Sequence, residues 1–193
     1  MKSIIIATGN DGKFSELELI ANDLGFSAKR VDALDVPETS ATFIGNAIQK
    51  AVGYAQHYGE LALSDDSGVV VEALFGAPGI YTARYAAHHG GWSKGREALK
   101  DALNGKSRRA AFVSSLAIHD PTTNKTISAV SEKWGMLSWP PRGDLDMGFA
   151  PLMIFDGLKR SLAELTLNEQ HAISHRTGAA TSLRKQLPKL SKS

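Results

Sequence analysis

The alternation of apolar and polar positions predicts a chain in which strands and helices follow one another. Residues 3–8 form a short, continuous, β-branched run, which is typical of a buried strand. Apolar residues then recur at helical spacing over residues 14–24, and Gly25 follows as a helix stop. A second helix is predicted directly after Thr42, because the hydroxyl of Thr42 can cap it.

The second half of the chain continues the same alternation. Residues 94–103 predict a short helix, and residues 109–118 and 125–137 predict two long strands. The turn at residues 120–124 lies between these strands and makes an antiparallel hairpin the expected arrangement. Residues 179–187 predict a closing helix.

Composition and charge narrow the class of protein. The 193 residues suffice for one well-buried domain, or for two lobes that share a core. A formal net charge of +2 is too small to favour nucleic acid or an anionic membrane as a partner. The chain has no cysteine, which excludes disulfides, thiolate metal sites and cysteine nucleophiles. The first apolar run is too short for a signal sequence, so we expect a cytoplasmic protein.

Two adjacent carboxylates, Asp65 and Asp66, stand between the apolar run of residues 61–63 and the β-branched run of residues 69–71. Successive side chains of an extended chain point to opposite faces, so only one of the two can face a given ligand. Such a pair is suited to a hard divalent cation, which takes oxygen ligands. The alternative is a polar turn between two strands, with Asp and Ser accepting backbone hydrogen bonds.

A glycine-containing turn over residues 8–13 follows the first predicted strand and precedes the first helix. Free backbone N–H groups at a helix start favour an anion, and Lys13 adds a charge suited to phosphate oxygens. The segment does not match a P-loop, because Phe14 stands where a serine or threonine would hold magnesium. The alternative is a surface loop with a solvated lysine.

Several motifs in order resemble the inosine triphosphate pyrophosphatase family, which removes noncanonical purine nucleoside triphosphates. Each motif is weak alone, and their order and spacing together make the resemblance strong. They are Thr8-Gly9-Asn10-x-Gly12-Lys13, Thr42-Phe43-x-x-Asn46-Ala47-x-x-Lys50-Ala51, Asp65-Asp66-Ser67-Gly68 with Gly76-Ala77-Pro78-Gly79-x-Tyr81-x-Ala83-Arg84-Tyr85, Ala163-Glu164-Leu165 and Ile173-Ser174-His175-Arg176.

The resemblance implies an elongated α/β fold, with a long mixed β-sheet flanked by helices and two lobes around a nucleotide-binding cleft. Residues 1–193 would form this single two-lobed domain. The implied reaction is Mg²⁺-dependent hydrolysis of ITP, dITP or XTP between the α and β phosphates, which gives the monophosphate and pyrophosphate. The resemblance also implies a homodimer, with a nucleoside triphosphate as the substrate.

The resemblance implies roles for individual residues. Asp66 would be the general base, and Lys13 and Lys50 would neutralise charge on the phosphates. Mg²⁺ would be held by Glu38 and Asp66, with Asp65 as a further ligand or a water-mediated contact. The implied substrate-binding residues are Thr8, Gly9, Asn10, Asp11, Gly12, Lys13, Ser67, Gly148, Phe149, Ala150, Gln170, Ser174, His175 and Arg176.

Three positions depart from the family pattern. Family members usually carry Phe-Gly-Tyr/Trp-Asp-Pro in the late loop, whereas this chain has Ala150 in place of the aspartate. Gln170 replaces a lysine of the same base-side pocket, and Phe149 can still stack on a base. Gly45 replaces a glutamate, and we expect it to weaken the start of the second helix. We therefore expect intact catalysis with an altered or relaxed base preference.

Two other classes of function stay open at this stage. The first is a non-catalytic nucleotide sensor, which would bind the ligand and not turn it over. The second is a pyrophosphatase of the same fold that acts on another nucleotide, such as a pyrimidine or a modified purine.

Overall fold

The computed structural model describes residues 1–191 and has a mixed α/β fold. The strands are β1 (Lys2–Ile6), β2 (Phe26–Lys29), β3 (Ala62–Val71), β4 (Arg109–Asp120), β5 (Lys125–Leu137) and β6 (Met153–Phe155). The α-helices are α1 (Asp11–Asp23), α2 (Phe43–Tyr58), α3 (Thr82–His88), α4 (Trp92–Ala102), α5 (Leu167–Ile173), α6 (His175–Arg184) and α7 (Pro188–Ser191). Short 3₁₀ helices span Glu72–Leu74, Gly79–Tyr81 and Leu162–Glu164.

The strands form a six-stranded sheet in the order β2-β1-β3-β4-β5-β6. β1 pairs in parallel with β2 and β3, whereas β5 pairs antiparallel with β6, so the sheet is mixed as expected. β4 and β5 are neighbours, and the connection from Asp120 to Lys125 is too short for a crossover. The predicted antiparallel hairpin is therefore confirmed.

The path of the chain around β1 creates a place for a ligand. From β1 the chain passes through α1 to β2 on one side, and then through α2 to β3 on the other side. In open α/β sheets, ligands bind at such a switch point, beyond the carboxyl ends of the strands. The pairing of β1 with β3 ends at Ile6 and Leu63, so the acidic pair follows directly after it.

The chain divides into two compact units. The first unit contains Met1–Ser67, Ser114–Ser131 and the described residues from Ser174 onward. Its main core joins α1 to the sheet and α6, through residues that include Ile4, Ile6, Leu17, Ile20, Leu116, Ile118 and Leu183.

The second unit contains Gly68–Val113 and Glu132–Ile173. Its core includes Val69, Val71, Leu99, Phe112, Leu152 and Phe155. Among the described helices of the chain, none is long and apolar enough to cross a membrane.

The helices and strands confirm most of the predicted pattern, with differences at particular elements. α1 begins at Asp11, before the predicted residue 14, because Asn10 caps it. The acidic pair lies inside the continuous strand β3, so the interpretation as a polar turn between two strands is wrong. The short elements β2, β6 and α5 were not predicted from the apolar pattern.

Gly45 has a packing role at the start of α2. Its backbone N–H donates to Thr42 Oγ1 at 3.1 Å, and Ser40 Oγ lies 3.1 Å from the same hydroxyl. A Cβ added at Gly45 would lie 2.6 Å from Ser40 Cβ, too close for any real contact. The glycine therefore admits the Ser40 side chain, a benefit that helix propensity alone does not count.

We expect Gly45→Ala to lower the free energy of unfolding, although propensity alone predicts a gain of about 1 kcal/mol. We expect the clash between the added Cβ and Ser40 to outweigh this gain, so that the variant is less stable than the wild type. Urea unfolding of both the single variant and Ser40→Gly/Gly45→Ala checks this, because removing the Ser40 side chain relieves most of the clash. A Gly45→Ala protein that is more stable than the wild type would show that Ser40 moves away at little cost.

Glu169 lies in the first turn of α5, in the second unit, and stabilises that turn through its carboxylate. Its Oε2 accepts hydrogen bonds from the backbone N–H and the hydroxyl of Thr166, at 2.8 and 3.0 Å. Its Oε1 lies 2.6 Å from Arg160 Nη2. These donors, with Arg160 first, lower the pKa of Glu169 to about 2.

A lowered folded-state pKa gives stability that is present above the unfolded-state pKa, about 4.3 for Glu. This stability is lost as the pH falls from about 4 towards the folded-state value of about 2. We therefore expect Glu169→Gln to lower the thermal midpoint at pH 7 and to change it much less near pH 2. The matched control is Glu97→Gln on the exposed face of α4. An equal loss at both pH values would mean that the carboxylate charge is not what stabilises α5.

Candidate functional site

The turn that leads into α1 is stabilised by hydrogen bonds to its own polar side chains. Asn10 Oδ1 accepts the backbone N–H of Lys13 at 2.8 Å, and Thr8 Oγ1 accepts that of Asn10 at 3.2 Å. This Asn cap places Lys13 in the first turn of the helix, where an anion is favoured. Gly9 is exposed, and a Cβ there would lie 2.9 Å from Ala33 Cβ, so glycine permits the close approach.

Asp11 and Gly12 are also exposed in this turn. Asp11 Oδ1 lies 2.6 Å from Arg30 Nη1, with the Asp11 side chain 90% exposed. This contact is a surface ion pair and adds little to stability. Of the predicted residues in the turn, Lys13 is the one whose side chain reaches a predicted site residue outside the turn, Asp65.

β3 places Asp65 and Asp66 on opposite faces, as the alternation of an extended chain predicts. Asp65 is 2% exposed and lies on the side of α1 and α6. Its Oδ1 accepts from Ser114 Oγ at 2.7 Å, and its Oδ2 accepts from Ser67 Oγ at 2.9 Å. Lys13 Nζ lies 3.1 Å and Arg176 Nη2 3.4 Å from the same Oδ2.

The charge of Asp65 is stabilised by these neighbours. Burial acts to raise the pKa of this carboxyl, and it is the largest single influence. The combined effect of Arg176, Lys13 and the Ser114 hydrogen bond is larger, and it holds the pKa of Asp65 well below its usual range. Asp65 is therefore ionised in the folded protein at every ordinary pH.

Asp66 faces α2 and has a different environment. Its Oδ2 accepts from Asn46 Nδ2 at 3.1 Å, and the residue is 6% exposed. Burial raises the pKa of Asp66, and the nearby charge of Glu38 raises it further, whereas Asn46 and Lys50 act in the opposite direction. The two neighbouring carboxyls of β3 thus have pKa values shifted in opposite directions, which is a common feature of functional sites.

Glu38 and Lys50 form an ion pair beside Asp66. Lys50 Nζ also donates to the backbone oxygen of Asp65 at 3.2 Å. The segment that carries Glu38 is bound to α2 through the next residue, Thr39. Gln49 of α2 accepts the backbone N–H of Thr39 and donates to its hydroxyl. The predicted residues Glu38, Lys50 and Asp66 are therefore brought together.

Arg176 lies in the first turn of α6, which Ser174 caps by accepting the Thr177 N–H at 3.1 Å. Its Nη1 donates to Glu16 Oε2 at 2.8 Å, and its Nη2 donates to Ser67 Oγ at 2.9 Å. The preceding His175 is 3% exposed, and burial, followed by the charge of Arg176, holds its pKa well below the usual value. Arg176 thus stands beside Lys13 in the first unit.

Four predicted base-side residues, Gly148, Phe149, Ala150 and Gln170, lie in the second unit, and the last three are buried there. Phe149 is 3% exposed and packs edge-on against Trp92, with ring centroids 5.6 Å apart. Ala150 is also buried, and Gly148 adopts a φ of +58°, which favours glycine. Stacking of Phe149 on a base stays a prediction, because the ring packs into the core of its own unit.

Gln170 and Arg96 hold the backbone around this loop. Gln170 Nε2 donates to the Leu165 oxygen at 2.9 Å, so the replacement of the expected lysine serves a structural contact. Arg96, which is 4% exposed, donates from Nη1 to the oxygens of Leu145 and Gly148 at 2.9 and 2.7 Å. Arg96 was not predicted, and its only signal was an arginine among the apolar positions of α4.

Other residues of the site were also missed from the sequence. Asn46, Gln49, Ser114 and Glu16 each bind a predicted site residue or the segment that carries it. Asn46 and Ser114 are polar positions within otherwise apolar stretches and are buried, so this mismatch was the available signal.

The donor set suits a cation shared with a ligand better than a cation enclosed by protein alone. Within residues 1–191, no group of three or more His, Cys, Asp or Glu side chains is arranged to hold a metal ion. Mg²⁺ commonly binds one or two carboxylates and takes its remaining ligands from water and substrate phosphates. Glu38 is close enough to Asp66 for its charge to raise the pKa of Asp66, and the two carboxylates fit that mode.

The chain is similar to known proteins over nearly its whole length. The Ham1 family matches residues 4–186. A dITP/XTP pyrophosphatase of Exiguobacterium is 36% identical over 189 residues, which cover 95% of this chain and 96% of that protein. One from Zymomonas mobilis is 37% identical over 187 residues, covering 93% of this chain and 89% of that protein.

Solved structures show the same fold. The Staphylococcus aureus Ham1 protein has a TM-score of 0.82 at 31% identity, covering 97% of this chain and 99% of its own. A Mycobacterium abscessus nucleoside-triphosphatase / dITP/XTP pyrophosphatase has a TM-score of 0.71 at 33% identity, covering 98% of this chain and 100% of its own. The mixed α/β architecture is therefore that of this group.

We expect Arg96→Met to loosen the loop around Gly148, because the two carbonyl groups lose their donor. Amide hydrogen exchange at residues 145–150 should become at least about tenfold faster, which corresponds to about 1.4 kcal/mol of lost local protection. Lys100→Met, an exposed cation on the same helix, is the control. Should exchange accelerate equally across the second unit, Arg96 would be a general core residue and not an anchor of this loop.

Proposed function

Because this chain belongs to the Ham1 family, we propose that it is a nucleoside triphosphate pyrophosphatase acting on the noncanonical purine nucleotides ITP, dITP and XTP. The products are the nucleoside monophosphate and pyrophosphate. The family relationship and the names of the similar proteins support the reaction class. The observation that carries the proposal is the grouping, within one unit, of Asp66, Glu38 and three cationic side chains, Lys13, Lys50 and Arg176.

Asp66 acts as the general base in this proposal. It orients the attacking water and takes its proton as the new P–O bond forms and the bond to the leaving pyrophosphate breaks. Burial and the charge of Glu38 raise the pKa of Asp66, which makes it a better proton acceptor than an ordinary aspartate. Asn46 keeps the carboxylate oriented through its hydrogen bond at 3.1 Å.

The exposed turn at residues 8–13 and the cations beside it bind the triphosphate. Backbone N–H groups at the start of α1 favour phosphate oxygens, and Lys13 adds a full charge. Lys50 stands beside Asp66 and offsets charge on the phosphates. The one hydroxyl proton of Ser67 is donated to Asp65 Oδ2, so Ser67 would donate to a phosphate only by leaving Asp65.

Mg²⁺ is proposed as the cofactor, with Glu38 and Asp66 as its protein ligands. When bound, such an ion neutralises phosphate charge and assists ionisation of water. The Glu38 carboxylate is paired with Lys50. This ion pair holds Glu38 beside Asp66.

The preference for a particular base is a separate proposal. The positions expected to influence it are Ser174, His175, Arg176, Gly148, Phe149, Ala150 and Gln170. Ala150 offers no acceptor, and the Gln170 amide is engaged with the Leu165 oxygen. We therefore propose a base preference that is relaxed relative to relatives with aspartate and lysine at these positions.

We also propose a cytoplasmic homodimer, as expected for an enzyme of the nucleotide pool in this family. Light scattering after size-exclusion chromatography measures the mass directly. A value near 41 kDa, twice the 20.7 kDa of one chain, is expected. A value near that of one chain would contradict the dimer.

Pyrophosphate release with Mg²⁺ across ITP, dITP, XTP, GTP, ATP, dUTP and CTP tests the function. We expect turnover of the noncanonical purines, and a loss of about 10²–10⁴-fold in kcat for Asp66→Asn, the range for removal of a general base. Asp120→Asn, at the far end of β4, is the control for a buried aspartate. Ligand binding with no release of pyrophosphate from any nucleotide would favour a sensor, and preferred turnover of a pyrimidine would favour another substrate.

A further inference from the structure

We propose that Asp65 is a positioning residue, which holds Lys13 in place for the triphosphate with Arg176 beside it, and that it is not a ligand of the metal ion. This inference rests on the proposed function, because it assigns the two carboxylates of β3 to different parts of the same site. It replaces the expectation that Asp65 serves as a further metal ligand or as a water-mediated contact to the metal.

The carboxylate oxygens of Asp65 already have hydrogen-bond and ion-pair partners. The side chain has no exposed surface, and the Ser114 hydroxyl donates to Oδ1 at 2.7 Å. On Oδ2, Ser67 donates at 2.9 Å, and Lys13 and Arg176 lie at 3.1 and 3.4 Å. Each carboxylate oxygen offers about two acceptor sites, so Oδ2 is fully used, and Oδ1, which has one partner, has no exposed surface at which a further ligand could bind.

A magnesium ion would have to displace one of these partners. Mg²⁺ binds oxygen at about 2.0–2.1 Å and demands near-octahedral geometry. It would also bring its charge next to two cations, the Lys13 ammonium and the Arg176 guanidinium, which would repel it. Both effects act against a direct bond between Asp65 and the metal.

The alternation of side chains along β3 also separates the two carboxylates. Asp65 and Asp66 point to opposite faces of β3, so they contact different groups. Asp66 lies with Asn46, Glu38 and Lys50, whereas Asp65 lies with groups from α1, α6 and β4. One face can hold the metal while the other arranges cations.

Asp65 also orders the Lys13 side chain before a substrate binds. A lysine side chain loses much rotamer freedom when it is held, and Asp65 fixes Lys13 before any substrate arrives. An ammonium has three donors, so Lys13 keeps two for phosphate oxygens. Arg176 is held from the other side by Glu16 at 2.8 Å. Asp65 thus prearranges Lys13 with Arg176 beside it, which reduces the cost of binding in the reactive geometry.

The first test compares Asp65→Asn with Asp66→Asn by two measurements. Binding of Mn²⁺ is followed calorimetrically in the presence of the α,β-methylene analogue of ITP, which cannot be cleaved at that bond. We expect Asp65→Asn to keep the Mn²⁺ affinity within twofold and to lower kcat by about 10–100-fold, the range for a displaced positioning group. For Asp66→Asn we expect at least a tenfold loss of Mn²⁺ affinity. A loss of that size in Asp65→Asn would overturn the proposal.

The second test asks whether Asp65 acts through Lys13. In a double-mutant cycle, Asp65→Asn should lower kcat strongly in the wild type and by less than about threefold in a Lys13→Met background, because the positioned group is already absent. An equal effect of Asp65→Asn in both backgrounds would overturn the proposal. The cycle separates a positioning role from a merely structural one, because loss of a structural role would lower kcat equally in the wild-type and Lys13→Met backgrounds.

Two further variants guard against loss of the fold. Ser114→Ala keeps the Asp65 charge and removes one donor on β4, so it should give a smaller loss of kcat in the same direction. If Asp65→Asn does not fold, the cycle is made with Ser114→Ala and Lys13→Met. The control Asp120→Asn removes a buried carboxylate that binds Thr122 at 2.9 Å and should leave kcat unchanged.

Failure of the proposed function has a different signature. A wild-type protein that releases no pyrophosphate from any nucleotide would contradict the function. The same Asp65–Lys13 cycle is then read on the affinity for the α,β-methylene analogue without metal. Coupling between the two substitutions supports the positioning role, and additive effects overturn it.

Discussion

A buried carboxylate is stable only when cations and hydrogen-bond donors replace the water that it has lost, and β3 carries two such groups in succession. The strand sends them to opposite faces, so each requires its own partners. Asp65 obtains Ser114, Lys13 and Arg176, whereas Asp66 obtains one amide hydrogen bond from Asn46. The helices α1, α2 and α6 must therefore all start or pass near the middle of β3. The requirements of the two carboxylates fix much of the first unit.

The same division explains why adjacent, identical side chains have opposite electrostatics. Two nearby cations outweigh the burial of Asp65 and keep it charged, so it can order other charges and is a poor proton acceptor. Burial outweighs the partners of Asp66 and raises its pKa, which suits proton transfer. Neither behaviour belongs to aspartate as a residue type. Each follows from the face of the strand and from the element packed against it.

The sequence predicted the parts of this arrangement that depend on local pattern. The strand β1, the cap of α2 at Thr42, the hairpin of β4 and β5 and the alternation of the acidic pair follow from side-chain periodicity. The four-residue strand β2 and the three-residue strand β6 were missed, because such short runs carry no periodic signal. The roles of Ser114 and Glu16 were also missed, because their contacts join residues 49 and 160 positions apart.

Glycine at position 45 shows what a family comparison leaves out when it is read as local propensity alone. The expectation was a weaker helix start, yet Gly45 makes room for Ser40, whose hydroxyl supports the capping Thr42. Ser40 also donates its backbone N–H to Asn46 Oδ1 at 2.9 Å, and Asn46 in turn donates to Asp66. The replacement of glutamate by glycine thus supports a chain of contacts that ends on the proposed general base. The physical effect of this departure lies in packing around the site, which propensity scales do not describe.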